Sequence, residues 1–246
     1  SNLCAVLFLS VLISSYELQR LYFLSLKRFA GYEYEAYRAF DRVISVVLTG
    51  VLFAGLMLIS LRWISLSLFL VYLLAWLLCS CFLSCFPKRQ SPETIVFRLS
   101  GFFMTATYVS LPWIAMLLLY QGGQNGRYFL LVFLIAIMGD TGAYTAGNFI
   151  GRTKLAPILS PNKTLEGVAG GVLFSILGVF VFSYFFPEND SDAIYVLILC
   201  AVLGSLAGVV GDLAESTIKR AAKVKDSGIF FPGHGGFLDR LDSVLL

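Results

Sequence analysis

Charge is what this chain has least of. Lys, Arg, Asp and Glu together make up 13% of its 246 residues, there is one histidine, and 58% of the residues are hydrophobic. That scarcity excludes a soluble globular fold, which would have to hide more apolar surface than a chain of this length can bury. With His234 alone, no Ser/His/Asp or Cys/His catalytic arrangement is visible. The five cysteines, Cys4, Cys79, Cys81, Cys85 and Cys200, fall inside apolar runs, with no histidine or carboxylate beside the central three. Tetrahedral zinc ligation is thereby excluded, and buried, unreactive thiols are expected. Period-2 alternation is missing, which excludes a membrane β-barrel. A secretory signal peptide would carry a basic n-region, and none precedes Leu3, so the opening run is not expected to be one. No inverted repeat relates the two halves, which counts against a transporter.

What is present is a series of continuous apolar runs at 43–61, 63–86, 99–120, 128–150, 167–186 and 193–211, with an opening run at 3–15. A hydrocarbon core of roughly 30 Å takes about 20 helical residues to cross. Six runs meet that length, and the opening one is short for a span. The chain opens at Ser1 and closes on 243–246, which reads as the first turn of another apolar helix, so one more span is expected. The expected fold is all-α: a polytopic transmembrane helical bundle of about seven to nine membrane helices with a cytoplasm-facing polar cavity. It is read as one integral membrane domain over 1–246, with generic membrane helices in 1–130 and a motif-bearing part in 139–246. Between the first two runs, residues 16–41 hold Glu17, Lys27, Arg28, Glu33 and Glu35 among aromatics, which reads as an interfacial amphipathic helix.

Basic residues alternate with the runs. If Ser1 lies outside, every Lys and Arg except Arg62 and Arg127 falls in an inner connection. The positive-inside rule then places both polar motif stretches in the cytoplasm.

The first stretch, 139–167, reads GDTGAYTAGNFIGRTKLAPILSPNKTLEG. Asp140 lies well inside an apolar run, where a carboxylate costs several kcal/mol unless it faces a partner or water. Tyr144 shares its helical face at i+4, and Gly139, Gly142, Gly147 and Gly151 allow backbones to approach. Asp140 either lines a polar cavity or pairs with a basic residue of another helix. Ser160 with Pro161, or Thr164, can cap the helix that follows. Lys163 could bring a point charge to an anion there. Gly167 and Gly171 serve either that anion or helix packing.

The second stretch, 216–242, reads STIKRAAKVKDSGIFFPGHGGFLDRLD. If the run ending at Gly211 continues as helix, Asp212, Glu215, Ser216, Lys219 and Lys223 share one face. Pro232 and Gly233 are expected to break that helix, and Gly235 and Gly236 to allow positive φ or close backbone approach. Asp239 and Asp242 return three residues apart. Carboxylates, bases and glycines of this kind suit a polyphosphate bound with a divalent cation, since Mg²⁺ takes one or two protein carboxylates plus phosphate oxygens and water. A lipid-binding basic helix would explain the lysines alone.

The pattern SxIKRxxxxKDxGxxFPxHGGxxDRxD at 216–242 resembles the C-terminal signature of the phosphatidate cytidylyltransferases, also called CDP-diacylglycerol synthases. DTGAYxxGxxxG and SPNKTLEG are similar to that family as well, so the likeness covers 139 to the end. The resemblance implies transfer of CMP from CTP to phosphatidic acid, giving CDP-diacylglycerol and pyrophosphate in phospholipid biosynthesis. It implies Mg²⁺, with a second cation left open, and Asp212, Asp239 and Asp242 as metal ligands. Catalytic positions would be Asp212, Asp239, Lys219, Arg220, Lys225, Asp226, His234 and Arg240. Substrate would meet Ser216, Asn162, Lys163, Asp140, Tyr144, Gly235 and Gly236. CTP and phosphatidic acid are the expected partners, within the lipid bilayer of a bacterial inner (plasma) membrane and with the site facing the cytoplasm. No nucleic acid is expected. Gly204 and Gly208 permit a homodimer or packing within one subunit. The alternatives from other classes are a CTP-dependent lipid-alcohol kinase of the polyprenol type, which would release CDP, and a membrane transporter.

Overall fold

A computed structural model describes residues 2–30, 38–61, 66–85, 92–122, 126–187, 193–228, 230 and 235–240. Eight α-helices carry the described chain: α1 Asn2–Ala30, α2 Arg38–Ser60, α3 Leu66–Cys85, α4 Pro92–Thr105, α5 Leu111–Gly122, α6 Arg127–Phe149, α7 Leu165–Phe185 and α8 Ala193–Ala221. Two short strands, β1 Lys154–Ala156 and β2 Ser160–Thr164, pair antiparallel between α6 and α7, with Lys154 opposite Thr164 and Ala156 opposite Ser160. Among the described residues, six stretches are long and apolar enough to cross a membrane: Leu3–Ser25, Arg42–Ser60, Leu99–Gly122, Arg127–Phe149, Leu165–Phe185 and Ile194–Ala221. A shorter apolar segment, Leu70–Phe82, lies in α3. The protein is an all-α polytopic membrane bundle with a small hairpin in one connection.

The chain falls into two compact units, Ser1–Leu118 with Ala221–Asp239, and Leu119–Arg220 with Arg240–Leu246. In the first, α1, α2, α3 and α4 pack together. Leu48, Leu52, Trp76, Phe102 and Ala106 form its buried apolar cluster. Two of the polar side chains inside reach across to other helices: Gln19 Nε2 donates to the Gly101 carbonyl at 2.9 Å and to Thr105 Oγ1 at 2.6 Å, and Trp76 Nε1 donates to the Leu48 carbonyl at 2.7 Å. Lipid offers no hydrogen bonds, so such groups must find partners within the protein.

The expected run at 99–120 is one helical path with a π-helical stretch, Ala106–Ser110, between α4 and α5. Pro112 accounts for it. Proline has no N–H to donate and its ring crowds the carbonyl four residues back, at Tyr108; widening the preceding turn relieves both.

In the second unit, α6 and α7 lie against one another along small residues. A Cβ on Gly142 would strike the Gly170 carbonyl and Phe174, and one on Gly170 would strike Ala146. Gly167 and Gly171 meet the backbone of Ala143 and Gly139 in the same way, so both serve helix packing. Leu131, Ile135, Val179, Phe182, Leu197 and Ala201 bring α8 into the same apolar cluster. Gly204 packs on Ile135 within the subunit.

Three expectations change. The opening run is not short, and 16–30 is no separate surface helix: α1 continues to Ala30, with Glu17 4% and Gln19 2% exposed. The helix persists because its polar side chains find internal acceptors and donors. The helix after Gly211 does continue, but it ends at Ala221 rather than at Pro232, and Lys223 stands at φ 56, in the left-handed region that closes helices. Lys223 therefore leaves the face of Asp212, Glu215, Ser216 and Lys219. The thiols of Cys79, Cys81 and Cys200 are exposed rather than buried. They lie on apolar helices whose outer surface faces lipid, where a thiol behaves as a small hydrophobe.

The helix seam gives a direct test. Gly170→Val should destabilise the detergent-solubilised protein by about 1–3 kcal/mol or more through overpacking, seen as a lower unfolding midpoint. Gly122→Ala, with nothing within 4 Å of the added carbon, should leave the midpoint unchanged.

Candidate active site

In the second unit the two motif stretches meet. Lys163, at the end of the hairpin, forms an ion pair with Asp212 on α8, Nζ to Oδ2 at 2.6 Å, and also donates to the Val209 carbonyl at 3.4 Å. Ser216, one turn along α8, donates its hydroxyl to Asp212 Oδ1 at 3.2 Å. Arg220 Nε donates to the Leu159 carbonyl at 3.3 Å. Thus Lys163, Asp212 and Ser216 form one polar group, and Arg220, two turns along α8 from Asp212, is tied to the same hairpin at Leu159. Asp212 keeps a third of its side chain exposed.

The hairpin is held in place by the start of α7. Thr164 is the residue that caps it, accepting from Gly167 N at 3.1 Å, while Ser160 and Pro161 lie in β2. Glu166 in the first turn accepts from Arg152 N and Thr153 N, each at 3.1 Å, and from Thr153 Oγ1 at 2.9 Å. A carboxylate there also complements the positive end of the helix dipole. Asn162 is exposed on β2. Lys219 pairs with Glu215 at 3.1 Å across one turn of α8; the Glu215 side chain is fully buried and that of Lys219 nearly so. Asp140 and Tyr144 are exposed on α6, outside the glycine seam.

In the first unit the described parts of the C-terminal motif, 226–228 and 235–239, are stapled together by two carboxylates. Asp239 Oδ2 accepts from Ser227 N at 2.8 Å, Ser227 Oγ at 2.9 Å and Gly236 N at 2.8 Å. Gly235 takes φ +90, as expected, and a Cβ on Gly236 would collide with Ser227 and Glu17. Glycine is required at both positions, for conformation at one and for space at the other. Lys225 and Asp226 are exposed. Arg240 ends a short 3-10 turn, Leu238–Arg240, while His234 and Asp242 lie outside the described residues.

The second carboxylate is one the sequence did not single out. Glu17 on α1 accepts from Phe237 N at 3.0 Å, Leu238 N at 2.7 Å and Ser227 Oγ at 3.2 Å. Ser227 itself is fully buried. A signal was present: Glu17 and Gln19 alternate with Leu18 and Leu21 in a run that stays apolar on both sides, which marks polar groups inside a helix with partners elsewhere.

Among the described residues the site offers carboxylate and hydroxyl oxygens, which suit a hard divalent cation in kind. Among the described residues, no three His, Cys, Asp or Glu side chains come together as a metal cluster. An ion that binds through one or two protein carboxylates and completes its shell with phosphate and water needs no such cluster.

Glu17→Ala removes the acceptor of two buried backbone amides and a hydroxyl, so a loss of about 3 kcal/mol is expected. The thermal midpoint in detergent should fall accordingly, with a smaller fall for Glu17→Gln, which keeps one oxygen acceptor. An unchanged midpoint for Glu17→Ala would remove the stapling role.

Comparison with known proteins bears on what these groups do. A phosphatidate cytidylyltransferase of Staphylococcus epidermidis is 45% identical over 143 residues, which is 58% of this chain and 53% of that protein. Those of Staphylococcus saprophyticus and Staphylococcus aureus are 42% identical over the same shares. The matched stretch spans about half the length of these relatives. The model of the cytidylyltransferase family matches residues 2–246. The chain belongs to the cytidylyltransferase family.

Proposed function

We propose that the protein transfers a cytidylyl group from CTP to phosphatidate, giving CDP-diacylglycerol and pyrophosphate. The observation that carries this reading is the polar group Lys163, Asp212 and Ser216, with Arg220 tied to the same hairpin, built from motif stretches in a family whose named relatives are phosphatidate cytidylyltransferases. A phosphate oxygen of phosphatidate attacks the α-phosphorus of CTP. One P–O bond forms, the bond from that phosphorus to the bridging oxygen breaks, and pyrophosphate leaves with the electron pair. The nucleophile is already an anion, so no side chain has to be deprotonated to activate it. What remains for the protein is alignment and charge neutralisation.

Lys163 and Arg220 would supply the fixed cations, each aimed by a partner already in place, Asp212 for the one and the Leu159 carbonyl for the other. Lys225 and Arg240 are assigned to phosphate contact, with Lys219 positioned through Glu215. His234, Asn162, Gly235 and Gly236 are assigned to the substrate surroundings, with Asp140 and Tyr144. Magnesium, when bound, would neutralise the triphosphate and the departing pyrophosphate. The carboxylates assigned to it are Asp212, Asp239 and Asp242. The alternation of basic connections supports a cytoplasmic site in a bacterial inner membrane.

The test is an assay of purified protein with labelled CTP, phosphatidate and Mg²⁺, following labelled lipid and pyrophosphate together. Equal yields of the two are expected, with no activity after chelation. Asp212→Asn and Asp239→Asn should each abolish product. An asparagine oxygen can still accept the amides of Ser227 and Gly236, so the Asp239→Asn midpoint should stay near wild type. Release of CDP in place of pyrophosphate would assign the chain to lipid-alcohol phosphorylation instead.

A further inference from the structure

A cavity of about 470 Å³ opens in the first unit, beside the turn that Glu17 and Asp239 hold through Ser227; its lining includes Leu12, Tyr16, Glu17, Arg20, Arg42 and Phe230. Two arginines on one cavity wall of a membrane protein call for an explanation, because a guanidinium within a span is costly unless it meets water or an anion. Arg20 lies inside the span Leu3–Ser25, five residues before its end, and Arg42 opens the span Arg42–Ser60. The end of α1 and the start of α2 are joined by a short connection, so both arginines belong to the same side of the membrane.

Their surroundings restrict what they can bind. Arg42 Nη1 donates to the Tyr16 hydroxyl at 3.5 Å, with its guanidinium carbon 5.7 Å from the Tyr16 ring centre. Among the described residues, Arg20 makes no hydrogen bond or ion pair, not even with Glu17 one turn before it. The Glu17 oxygens are taken up by Phe237 N, Leu238 N and Ser227 Oγ. Among the described lining residues, two arginines stand beside one carboxylate that is already committed to the turn. The other end of the cavity is apolar: Leu12 precedes Arg20 by two helical turns, roughly 12 Å along the axis. A cationic rim above an apolar floor suits an amphiphile with an anionic head, and a soluble nucleotide would leave that floor unfilled.

We propose that this cavity is the seat of the phosphatidate substrate, with Arg20 and Arg42 holding its phosphomonoester and the wall at Leu12 and Phe230 meeting the start of its acyl chains. The assignment rests on the transferase reading for the identity of the lipid. A lipid phosphomonoester and a free phosphate share the chemistry the arginines recognise, so the experiment separates them.

Full-length purified protein is incubated with radiolabelled phosphatidate in mixed micelles without CTP, and retention is measured against phosphatidylcholine and against excess inorganic phosphate. Wild type should retain phosphatidate, ignore phosphatidylcholine and resist inorganic phosphate. Arg20→Gln and Arg42→Gln should each weaken retention by roughly tenfold, and Arg20→Lys by less. Leu12→Trp, which fills the apolar end and leaves both charges, should weaken it as well. In turnover, the same variants should raise KM for phosphatidate and leave KM for CTP unchanged. Wild-type retention in Arg20→Gln and Leu12→Trp, displacement by inorganic phosphate, or a shift confined to KM for CTP would each overturn the proposal. Retention behaving as expected with no cytidylylated lipid formed would sink the transferase reading and leave the lipid site standing.

Discussion

The first unit depends on a carboxylate placed where carboxylates are rarely tolerated. Glu17 stands on a membrane-spanning helix, 4% exposed, and its charge is stabilised by backbone amides from a turn more than 200 residues later in the sequence. Charge-assisted bonds to N–H groups are stronger than neutral ones, and a buried anion without them would cost several kcal/mol. The converse holds for the turn. The amides of Phe237 and Leu238 donate to Glu17, so this part of the C-terminal motif is held by α1. A signature that looks self-contained in the sequence thus takes its conformation from the opposite end of the chain.

The second unit solves a related problem by different means. Its hairpin has only two short strands, far too little for independent stability. It is fastened by Glu166 and Thr164 at the start of α7 and by Lys163 and Arg220 at the polar end of α8. Each bond consumes a group that would otherwise be an orphan of a helix terminus or an unpaired charge. Lys163 and Asp212 are therefore already oriented by the fold, and little side-chain freedom is left for them to lose in a complex.

The membrane helices were legible because hydrophobic length is a local property, read within about twenty residues. The end of α8 was less so: Lys223 and the residues after it are as polar as those before, and composition does not mark where a helix closes by one left-handed residue. The hairpin at 154–164 was hidden by Pro157 and Pro161 and by strands of only three and five residues. The pairing of Glu17 with the C-terminal turn was hidden for a deeper reason. Periodicity reports which side of a helix faces inward and carries no information on which distant amide meets it. The grouping of Lys163 with Asp212 is intermediate, since both were singled out as chemistry-bearing while their ion pair was not foreseen.

Among the described residues, polar groups buried in the spans contrast with Arg20. Glu17, Glu215 and Gln19 are buried and each meets donors or acceptors within its own unit, Glu215 through Lys219. Arg20 differs from these: it carries a charge within a span, lines a cavity and makes no such bond among the described residues. A group whose cost is met by the fold has a structural reason to be there, and its replacement is felt as lost stability. A group whose cost the fold leaves unmet must be stabilised from outside, by water or by a ligand. Water would serve any polar side chain, and a far smaller one would do. The long guanidinium set against Tyr16 and Arg42 over an apolar wall is better explained by an anion that arrives with a hydrocarbon tail, because that ligand alone uses both ends of the cavity.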